Sequence, residues 1–307
     1  MGMHVGNIDC TRDNGTMKTE KMHIAERARR FSREALTNLH QFITVEELHE
    51  SYEELNKYSS AGIDGEGCFT YGLDRIERFP KLLSELKTGE YRVPPIRRVY
   101  IPKGRDELRP LGIPTIEDKV LQSSVLKVLS PIYEAEFKDF SYGFRPRRSA
   151  HDAVNYLHKK VSFERMHYII DADIKDYFGS IDHGILRSFL DRRVKDGVIR
   201  KMIDKWLKAG ILEEGELRYP EEGTPQGGII SPLLSNIYLH YVLDEWFSEM
   251  IQPLLSEKSF LVRYADDCVP RTRTAAILFS GAAHKMRDGP SEPVYRHRLQ
   301  TTLCRIN

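Results

Sequence analysis

Three aspartates end two apolar stretches of the sequence, and their side chains could bind metal ions together. Asp173 lies at the end of YIIDADIK (168–175), and the adjacent Asp266 and Asp267 end LVRYADD (261–267). If both stretches are strands that end at one point, they form an oxygen-only site, which suits Mg²⁺ and substrate phosphates. Without a cation, three carboxylates at one point would repel one another. Two ions about 4 Å apart could activate an attacking hydroxyl and stabilise the leaving oxygen in phosphoryl transfer.

Each of these aspartates, taken alone, is better explained as a turn residue at the end of a strand. The metal site is therefore predicted from the adjacent pair in its apolar context, together with Asp173 about ninety residues upstream. The spacing by itself does not name the reaction.

The elements that must position these aspartates follow from apolar periodicity and from turn residues. Thr44 and Glu47 form a capping box that opens a helix. The sequence predicts strands at 97–114 (two, joined by a turn), 168–175 and 260–265, and helices within 25–57, at 73–86, at 117–137, at 183–209 (two) and from the TPQGG turn (224–228) to Trp246.

The composition is that of a globular protein whose charge is nearly balanced. The 307 residues are 40% apolar and 30% charged, with a formal net charge of +1, so nucleic-acid binding cannot rest on bulk charge. Lysine and arginine cluster at 92–109 and at 187–208, and each cluster is either a solvated face or a phosphate-contacting surface. The four cysteines form no CxxC pair, and no stretch resembles a signal peptide or a membrane span. These features predict a cytoplasmic protein without membrane contact.

Five motifs follow one another in an order that is typical of one polymerase family. They are RVYIPKGRDELRPLGIPTIEDKVLQ (98–122), SYGFRPRRSAHDA (141–153), IIDADIKDYFGSIDH (169–183), GTPQGGIISPLLSNIYLHYVLDEW (223–246) and RYADD (263–267). Over about residues 36–269 the sequence resembles group II intron-encoded reverse transcriptases and maturases. The SYGFRPRRSA and TPQGG forms favour that branch over retroviral enzymes.

The resemblance implies an α+β fold: the fingers and palm of a right-hand polymerase, with an antiparallel palm sheet, flanking helices and no thumb. The implied segments are a loose leader (1–24), an N-terminal extension with fingers (25–160), a first palm segment (161–181), fingers helices (182–223), a second palm segment (224–269) and a tail (270–307). The tail departs from the family and is expected to be poorly ordered, as an out-of-frame or unrelated extension would be. Pro270 is expected to interrupt the second strand of the hairpin, so that little of that strand remains.

The resemblance also implies roles around the catalytic centre. Asp173, Asp266 and Asp267 match the carboxylates that bind two Mg²⁺ ions, and the backbone carbonyl of Ile174 is a further ligand. The implied nucleotide-binding residues are Lys103 and Arg109 at the triphosphate, Phe178 beneath the sugar, where its ring excludes a 2′-hydroxyl, and Gln226 at the incoming nucleotide. Core packing is the alternative role for Phe178.

Three arginines and a set of partners complete the expectation. Arg145, Arg147 and Arg148 are implied to contact template or intron RNA, although an internal salt bridge is equally open for Arg145. The implied partners are an RNA template, intron RNA, a DNA primer and dNTPs. The implied function is RNA-directed DNA synthesis, in which dNTPs are added to the 3′-hydroxyl of a primer, impaired by the missing thumb. An intron-RNA-binding maturase and an inactive remnant of a mobile element are the alternatives.

Overall fold

The chain divides into two compact units, each made of two separate segments. In the computed structural model, the described residues are 15–103, 107–163, 168–174, 176–224, 226–254, 259–272 and 299–305. The first unit consists of Met1–Glu136 and Leu190–Ser231, and the second consists of Phe137–Phe189 and Pro232–Asn307. Residues 137–160, which were expected in one segment with the N-terminal part, therefore belong to the second unit.

Nine α-helices lie within the described residues. They are α1 (Gly15–Arg30), α2 (Val45–Glu54), α3 (Cys68–Leu73), α4 (Arg75–Thr88), α5 (Ile116–Glu134), α6 (Ala150–Phe163), α7 (His183–Arg193), α8 (Gly197–Leu207) and α9 (Ser231–Leu239). The predicted capping of α2 is confirmed, because the Thr44 hydroxyl accepts a hydrogen bond from the Glu47 amide at 3.2 Å. None of the helices in this described part of the chain is long and apolar enough to cross a membrane.

The first helix begins within residues 1–24, the segment that was predicted as a loose leader. The helix α1 already begins at Gly15, and it buries Ile24 and Ala28, one turn apart. Burial of these two side chains on one face of the helix explains why helical structure extends further toward the N-terminus than periodicity alone indicated. Residues 1–14 lie outside the described residues.

The described residues form two four-stranded sheets, one in each unit. The strands are β1 (Ile96–Pro102), β2 (Leu108–Ile113), β3 (Tyr168–Ile174), β4 (Ile211–Glu213), β5 (Glu216–Arg218), β6 (Phe260–Tyr264), β7 (Asp267–Thr272) and β8 (Leu299–Arg305). In the first unit the order is β2-β1-β4-β5, and only β1 and β4 pair in parallel. In the second unit the order is β6-β7-β3-β8, and every pair is antiparallel. The presence of both helices and strands, together with the small antiparallel sheet of the second unit, agrees with the predicted α+β class.

The strand after the paired aspartates is longer than predicted. Pro270 pairs with Leu261 of β6, and the chain continues beyond it to Arg271 and Thr272, which pair with β3. Proline removes one N–H donor from a ladder and leaves its carbonyl in place, and here strands on both sides hold the remaining residues. The expectation that Pro270 leaves little of this strand is therefore wrong.

The tail also contributes a strand to the second sheet. β8 pairs with β3 along its whole length, from Tyr168↔Arg305 to Ile174↔Leu299. Residues 299–305 of the predicted tail therefore belong to the second sheet, while the poor order expected of the tail stays a prediction. Residues 273–298 and 306–307 lie outside the described residues.

The helix that follows the TPQGG turn is confirmed and extends past Trp246. After α9 the chain continues as two π-helical turns, His240–Asp244 and Phe247–Ile251. In such turns the backbone bond spans five residues, as between the Glu245 amide and the His240 carbonyl. The wider turn changes which side chains share a face, and such turns are frequent near functional sites.

Candidate active site

The paired aspartates lie at the tip of the hairpin formed by β6 and β7. Tyr264 pairs with Asp267, which leaves Ala265 and Asp266 as a two-residue turn. Ala265 is buried, Asp266 is half-buried and Asp267 is exposed. Ala265 has a φ of 56°, a conformation in which glycine is usual at the first position of such turns. The turn thus presents two adjacent carboxylates on a backbone that other contacts must hold.

The end of β3 lies beside this turn. Ala172 of β3 is paired with Cys268 of β7, so the register continued by one residue places Asp173 opposite Asp267. Opposite Cα atoms in antiparallel strands are about 5 Å apart. The side chain of Asp173 lies outside the described part of the structure, while the neighbouring Ile174 is buried. The backbone alone therefore supports the predicted approach of Asp173 to the hairpin tip.

The donor atoms at this tip fit a hard divalent cation. Asp266 and Asp267 offer only carboxylate oxygens, which are the ligands that Mg²⁺ prefers. Among the described side chains, no three of the types His, Cys, Asp and Glu lie close enough to hold a metal ion. The third donor that the sequence predicts is Asp173, so the predicted set needs that side chain in addition to the described pair.

A buried arginine, which sequence reasoning did not single out, holds the turn from behind. Arg263 is fully buried. Its Nε and Nη2 donate to the two carboxylate oxygens of Asp244, at 2.8 and 2.6 Å. Its Nη1 donates to Asn236 Oδ1 at 2.9 Å and to the backbone carbonyl of Ala265 at 3.0 Å. A buried guanidinium therefore ties the turn residue before Asp266 to the long helix that begins at α9.

A second contact supports the same turn. The backbone of Gly143 lies so close to Ala265 that a Cβ on the glycine would approach the Ala265 nitrogen to 2.3 Å. Asn236 Nδ2 donates to the Gly143 carbonyl at 2.8 Å. Arg263 is also bonded through its backbone, since its amide donates to Phe140 and its carbonyl accepts from Tyr142. The segment 140–143 thus forms a rigid backing for the turn.

The ion pair behind the turn keeps both of its members charged. Burial alone would raise the pKa of Asp244, but the charge of Arg263, its two hydrogen bonds and the nearby His240 outweigh burial and lower that pKa. Burial would likewise lower the pKa of Arg263, and the facing Asp244 carboxylate raises it instead. The signal for this pair was present in the sequence: Arg263 interrupts the apolar run FLVRYA, and Asp244 interrupts an apolar helix. A charged residue inside a buried element needs a partner.

Phe178 lies next to the same unit's core. It begins a short 3₁₀ turn, Phe178–Ser180, and is half-buried. Its ring packs edge-on against Tyr177 with centroids 5.5 Å apart. The Tyr177 hydroxyl is buried and donates to the Ser235 carbonyl at 2.7 Å. Tyr177 thus anchors the turn that carries Phe178, whose predicted role beneath a sugar stays a prediction.

The other predicted nucleotide-binding residues lie together in the first unit. Lys103 and Arg109 are exposed and flank the tip of the β1–β2 hairpin, where the Lys103 amide donates to the Glu107 carbonyl at 2.6 Å. The Gln226 carbonyl accepts from the Gly112 amide of β2, also at 2.6 Å. Gly227 follows with a φ of 116°, and a Cβ there would approach the Gly112 carbonyl oxygen to 2.5 Å. The turn thus needs glycine, and it sits against the strand that carries Arg109.

The three predicted RNA-binding arginines differ in exposure. Arg145 is buried, donates to the carbonyls of Lys138 and Ser141 at 2.8 and 2.7 Å, and so holds its own segment. These bonds favour an internal role for Arg145, and its role as an RNA contact stays a prediction. Arg147 is exposed, whereas Arg148 is half-buried and pairs with Asp139 at 3.0 Å.

The basic segment 187–208 is likewise only partly a surface. Arg193 is buried and donates to backbone carbonyls of the first unit, including that of Ala28 at 2.8 Å. Lys205 donates to the carbonyls of Gly89 and Tyr91. The interpretation of the whole segment as a phosphate-contacting surface is therefore too broad. Its exposed lysines are Lys195, Lys201 and Lys208.

Comparison with known proteins agrees with this geometry. The family model described as Reverse transcriptase (RNA-dependent DNA polymerase) matches residues 101–278, which include Asp173 and the whole β6–β7 hairpin. The chain belongs to the reverse transcriptase family. The match continues past residue 269, so the family resemblance does not stop at Pro270 as the sequence analysis expected.

The relatives of this reverse transcriptase place it with the group II intron-encoded branch, as predicted. It is 35% identical over 229 residues to Protein YkfC of Escherichia coli (strain K12), and the aligned region covers 70% of this chain and 59% of YkfC. It is 39% identical over 211 residues to the Group II intron-encoded protein LtrA of Lactococcus lactis subsp. cremoris, which covers 67% of this chain and 35% of LtrA. It is also 39% identical over 191 residues to the Uncharacterized 91 kDa protein in cob intron of Schizosaccharomyces pombe, which covers 60% of this chain and 23% of that protein. The chain therefore spans only part of the length of these relatives.

Proposed function

We propose that this chain acts as an RNA-directed DNA polymerase and is encoded by a group II intron. The observation that carries the proposal is the hairpin tip, where Asp266 lies in the turn and Asp267 begins β7, and the register of β3 with β7 supports an approach of Asp173 to this tip. The family match supports the reaction class, and the intron-encoded relative LtrA supports the intron origin.

The proposed reaction is attack of a primer 3′-hydroxyl on the α-phosphate of a dNTP that is paired with an RNA template. Two Mg²⁺ ions held by Asp173, Asp266 and Asp267, with the Ile174 carbonyl as a further ligand, would activate the hydroxyl and stabilise the leaving pyrophosphate. The chain's own residues position the reactants, and in phosphoryl transfer positioning and charge stabilisation supply most of the catalysis.

The finger residues complete the proposed site. Lys103 supplies a point charge and Arg109 a planar fork, both suited to phosphate oxygens. We expect both side chains within about 10 Å of the aspartates in a substrate-bound form, because triphosphate and metal must meet there. Gln226 would contact the incoming nucleotide, and Phe178 would exclude a 2′-hydroxyl. A structure with bound primer–template and dNTP in which Lys103 and Arg109 point into bulk solvent would contradict their proposed role at the triphosphate.

Primer extension on an RNA template tests the proposal. The full chain, with Mg²⁺, a DNA primer and dNTPs, is expected to add nucleotides, and Asp266→Asn is expected to abolish addition. Glu90→Gln removes the same charge from an exposed residue far along the sequence and should leave extension unchanged. Unchanged extension by Asp266→Asn would overturn the assignment.

A maturase is the second candidate. It is favoured by the similarity to the intron-encoded protein LtrA and by the exposed lysines near α8. Filter binding to group II intron RNA, run beside the extension assay, separates the two functions. Binding without extension would favour the maturase, and neither activity would indicate an inactive remnant.

A further inference from the structure

We propose that Arg263, held by Asp244 and Asn236, is a positioning residue that fixes the Asp266 and Asp267 carboxylates for metal binding. This inference rests on the proposed function, because it concerns the same aspartates. It assigns a role to three buried residues that the metal-binding and nucleotide-binding assignments do not include.

The turn that carries Asp266 has a backbone conformation that needs support from its surroundings. Ala265 has a φ of 56°, which a residue with a Cβ adopts only when its surroundings hold it there. Its carbonyl accepts a hydrogen bond from Arg263 Nη1 at 3.0 Å. That carbonyl belongs to the peptide group whose nitrogen is the Asp266 amide. The orientation of this peptide therefore sets the direction in which the Asp266 side chain leaves the backbone.

The orientation of the Arg263 guanidinium is itself set by its buried partner Asp244. Its Nε and Nη2 form a two-bond fork with Asp244, whose side chain is also fully buried. Asp244 ends a π-helical turn, and His240 faces the same carboxylate at 3.9 Å. A planar guanidinium in such a fork has one orientation. Its remaining donors are thus aimed at fixed points.

Asn236 links Arg263 to the opposite wall of the turn. Asn236 accepts from Arg263 through Oδ1 and donates to the Gly143 carbonyl through Nδ2. Gly143 in turn touches the Ala265 backbone, where a Cβ would not fit. Ala265 is therefore held on one side by a hydrogen bond and on the other by a steric wall, and Asn236 joins the two.

If Arg263 and Asp244 only stabilised the fold, breaking their ion pair would still lower the stability of the protein. The test therefore needs a control that loses stability without touching the turn. Arg193 provides one, because it is equally buried and donates to backbone carbonyls of the first unit. Arg193→Lys and Arg263→Lys both replace a planar fork with a point charge. Their unfolding midpoints in urea give the stability loss of each.

The primary measurement is Mn²⁺ binding to the full chain by electron paramagnetic resonance. Binding at the aspartates is defined as the part that Asp266→Asn removes. We expect Arg263→Lys to weaken that part by about tenfold or more, which is the usual effect of losing a residue that orients metal ligands. Arg193→Lys should leave it unchanged. Equal Mn²⁺ affinity in wild type and Arg263→Lys would overturn the proposal.

Asn236→Ala is the second variant, because Arg263→Lys could fail to fold. It keeps the Arg263–Asp244 pair and removes the two hydrogen bonds by which Asn236 joins Arg263 Nη1 to the Gly143 carbonyl. We expect weaker Mn²⁺ binding and faster amide hydrogen exchange at residues 265–268, with little change in exchange within α5. Unchanged binding and exchange in a folded Asn236→Ala protein would count against the proposal.

The two proposals can fail separately. If the wild-type chain extends no primer, the polymerase function fails, but Mn²⁺ binding and hydrogen exchange still report whether Arg263 positions the aspartates. If extension proceeds and all Mg²⁺ and Mn²⁺ responses are the same in Arg263→Lys, only the positioning role fails.

Discussion

At the residue scale, the buried carboxyl of Asp118 shows how a core position can make stability depend on pH. Its Oδ1 accepts hydrogen bonds from the Tyr91 hydroxyl at 3.1 Å and from Trp206 Nε1 at 3.0 Å, while Oδ2 has no hydrogen-bond partner among the described residues. Burial raises the pKa of Asp118 to about 7, although the bonds from Trp206 and Tyr91 act in the opposite direction. The ordinary value is 3.8.

We expect Asp118→Asn to remove part of the pH dependence of folding. Between about pH 4 and pH 7 the folded chain keeps a proton at Asp118 that the unfolded chain releases, so stability falls as pH rises through this window. Asparagine resembles the protonated acid and does not titrate. The change in the free energy of unfolding caused by Asp118→Asn should therefore be more favourable at pH 8 than at pH 5, by about 1–3 kcal/mol. Urea unfolding at both pH values measures it. Glu77→Gln, at an exposed position in the same unit, is the control, and equal pH slopes in both variants would contradict the expectation.

A second residue-scale prediction concerns Gly143. Gly143→Ala should distort the turn at Ala265, because the new Cβ would meet the Ala265 nitrogen at 2.3 Å. Overpacking of this kind costs about 1–3 kcal/mol, and primer extension should fall with it. Gly67→Ala is the matched control, since a Cβ there has no neighbour within 4 Å. The prediction fails if the two alanine variants extend primers equally well.

At the element scale, the second sheet shows where sequence reasoning stops. The β6–β7 hairpin and the end of β3 were predictable, because each is an apolar run closed by acidic turn residues. β8 was not, because its pairing with β3 joins residues more than a hundred positions apart and its own sequence, LQTTLCR, has no clear alternation. Pro270 does not end β7, since neighbouring strands compensate for one missing donor.

The buried contacts of the active-site turn were only partly visible in the sequence. Arg263 and Asp244 stand out as charges inside apolar elements, so a buried ion pair could have been inferred. Its geometry could not, because the π-helical turn that brings Asp244 to Arg263 has no sequence signature here. Gly143 likewise carries no local sign of the close approach to Ala265, which depends on the packing of two distant segments.

The pairing of β8 with β3 gives an element-scale prediction. Backbone N–H groups alternate in direction along a strand, so of Thr301 and Thr302 one donates toward β3. The double change Thr301→Pro and Thr302→Pro removes both donors and should speed hydrogen exchange in residues 168–174. The double alanine variant keeps both N–H groups and serves as the control. Equal protection of β3 in the two variants would show that this pairing does not form.

At the scale of the whole molecule, nucleic-acid binding has to come from the distribution of charge. Forty-six basic and forty-five acidic residues leave a formal net charge of +1, so bulk attraction to RNA is weak. Within the basic segment 187–208, fewer side chains are available to bind RNA than the sequence suggests, because Arg193 and Lys205 donate hydrogen bonds to backbone carbonyls of the chain itself. The exposed Lys201 within α8, together with Lys195 before it and Lys208 after it, therefore forms the candidate contact surface for phosphate groups.

We expect the double change Lys195→Gln and Lys201→Gln to weaken RNA binding and its salt dependence. Each phosphate contact contributes about 0.7–0.9 to the slope of log affinity against log salt concentration, so the slope should fall by about 1.5 if both lysines make such contacts. Lys81→Gln with Lys159→Gln removes the same net charge from exposed positions outside this segment and is the control. Filter binding to intron RNA across a salt series gives both slopes. If the control lowers affinity and slope as much as the test pair, binding depends on total charge and this surface has no special role.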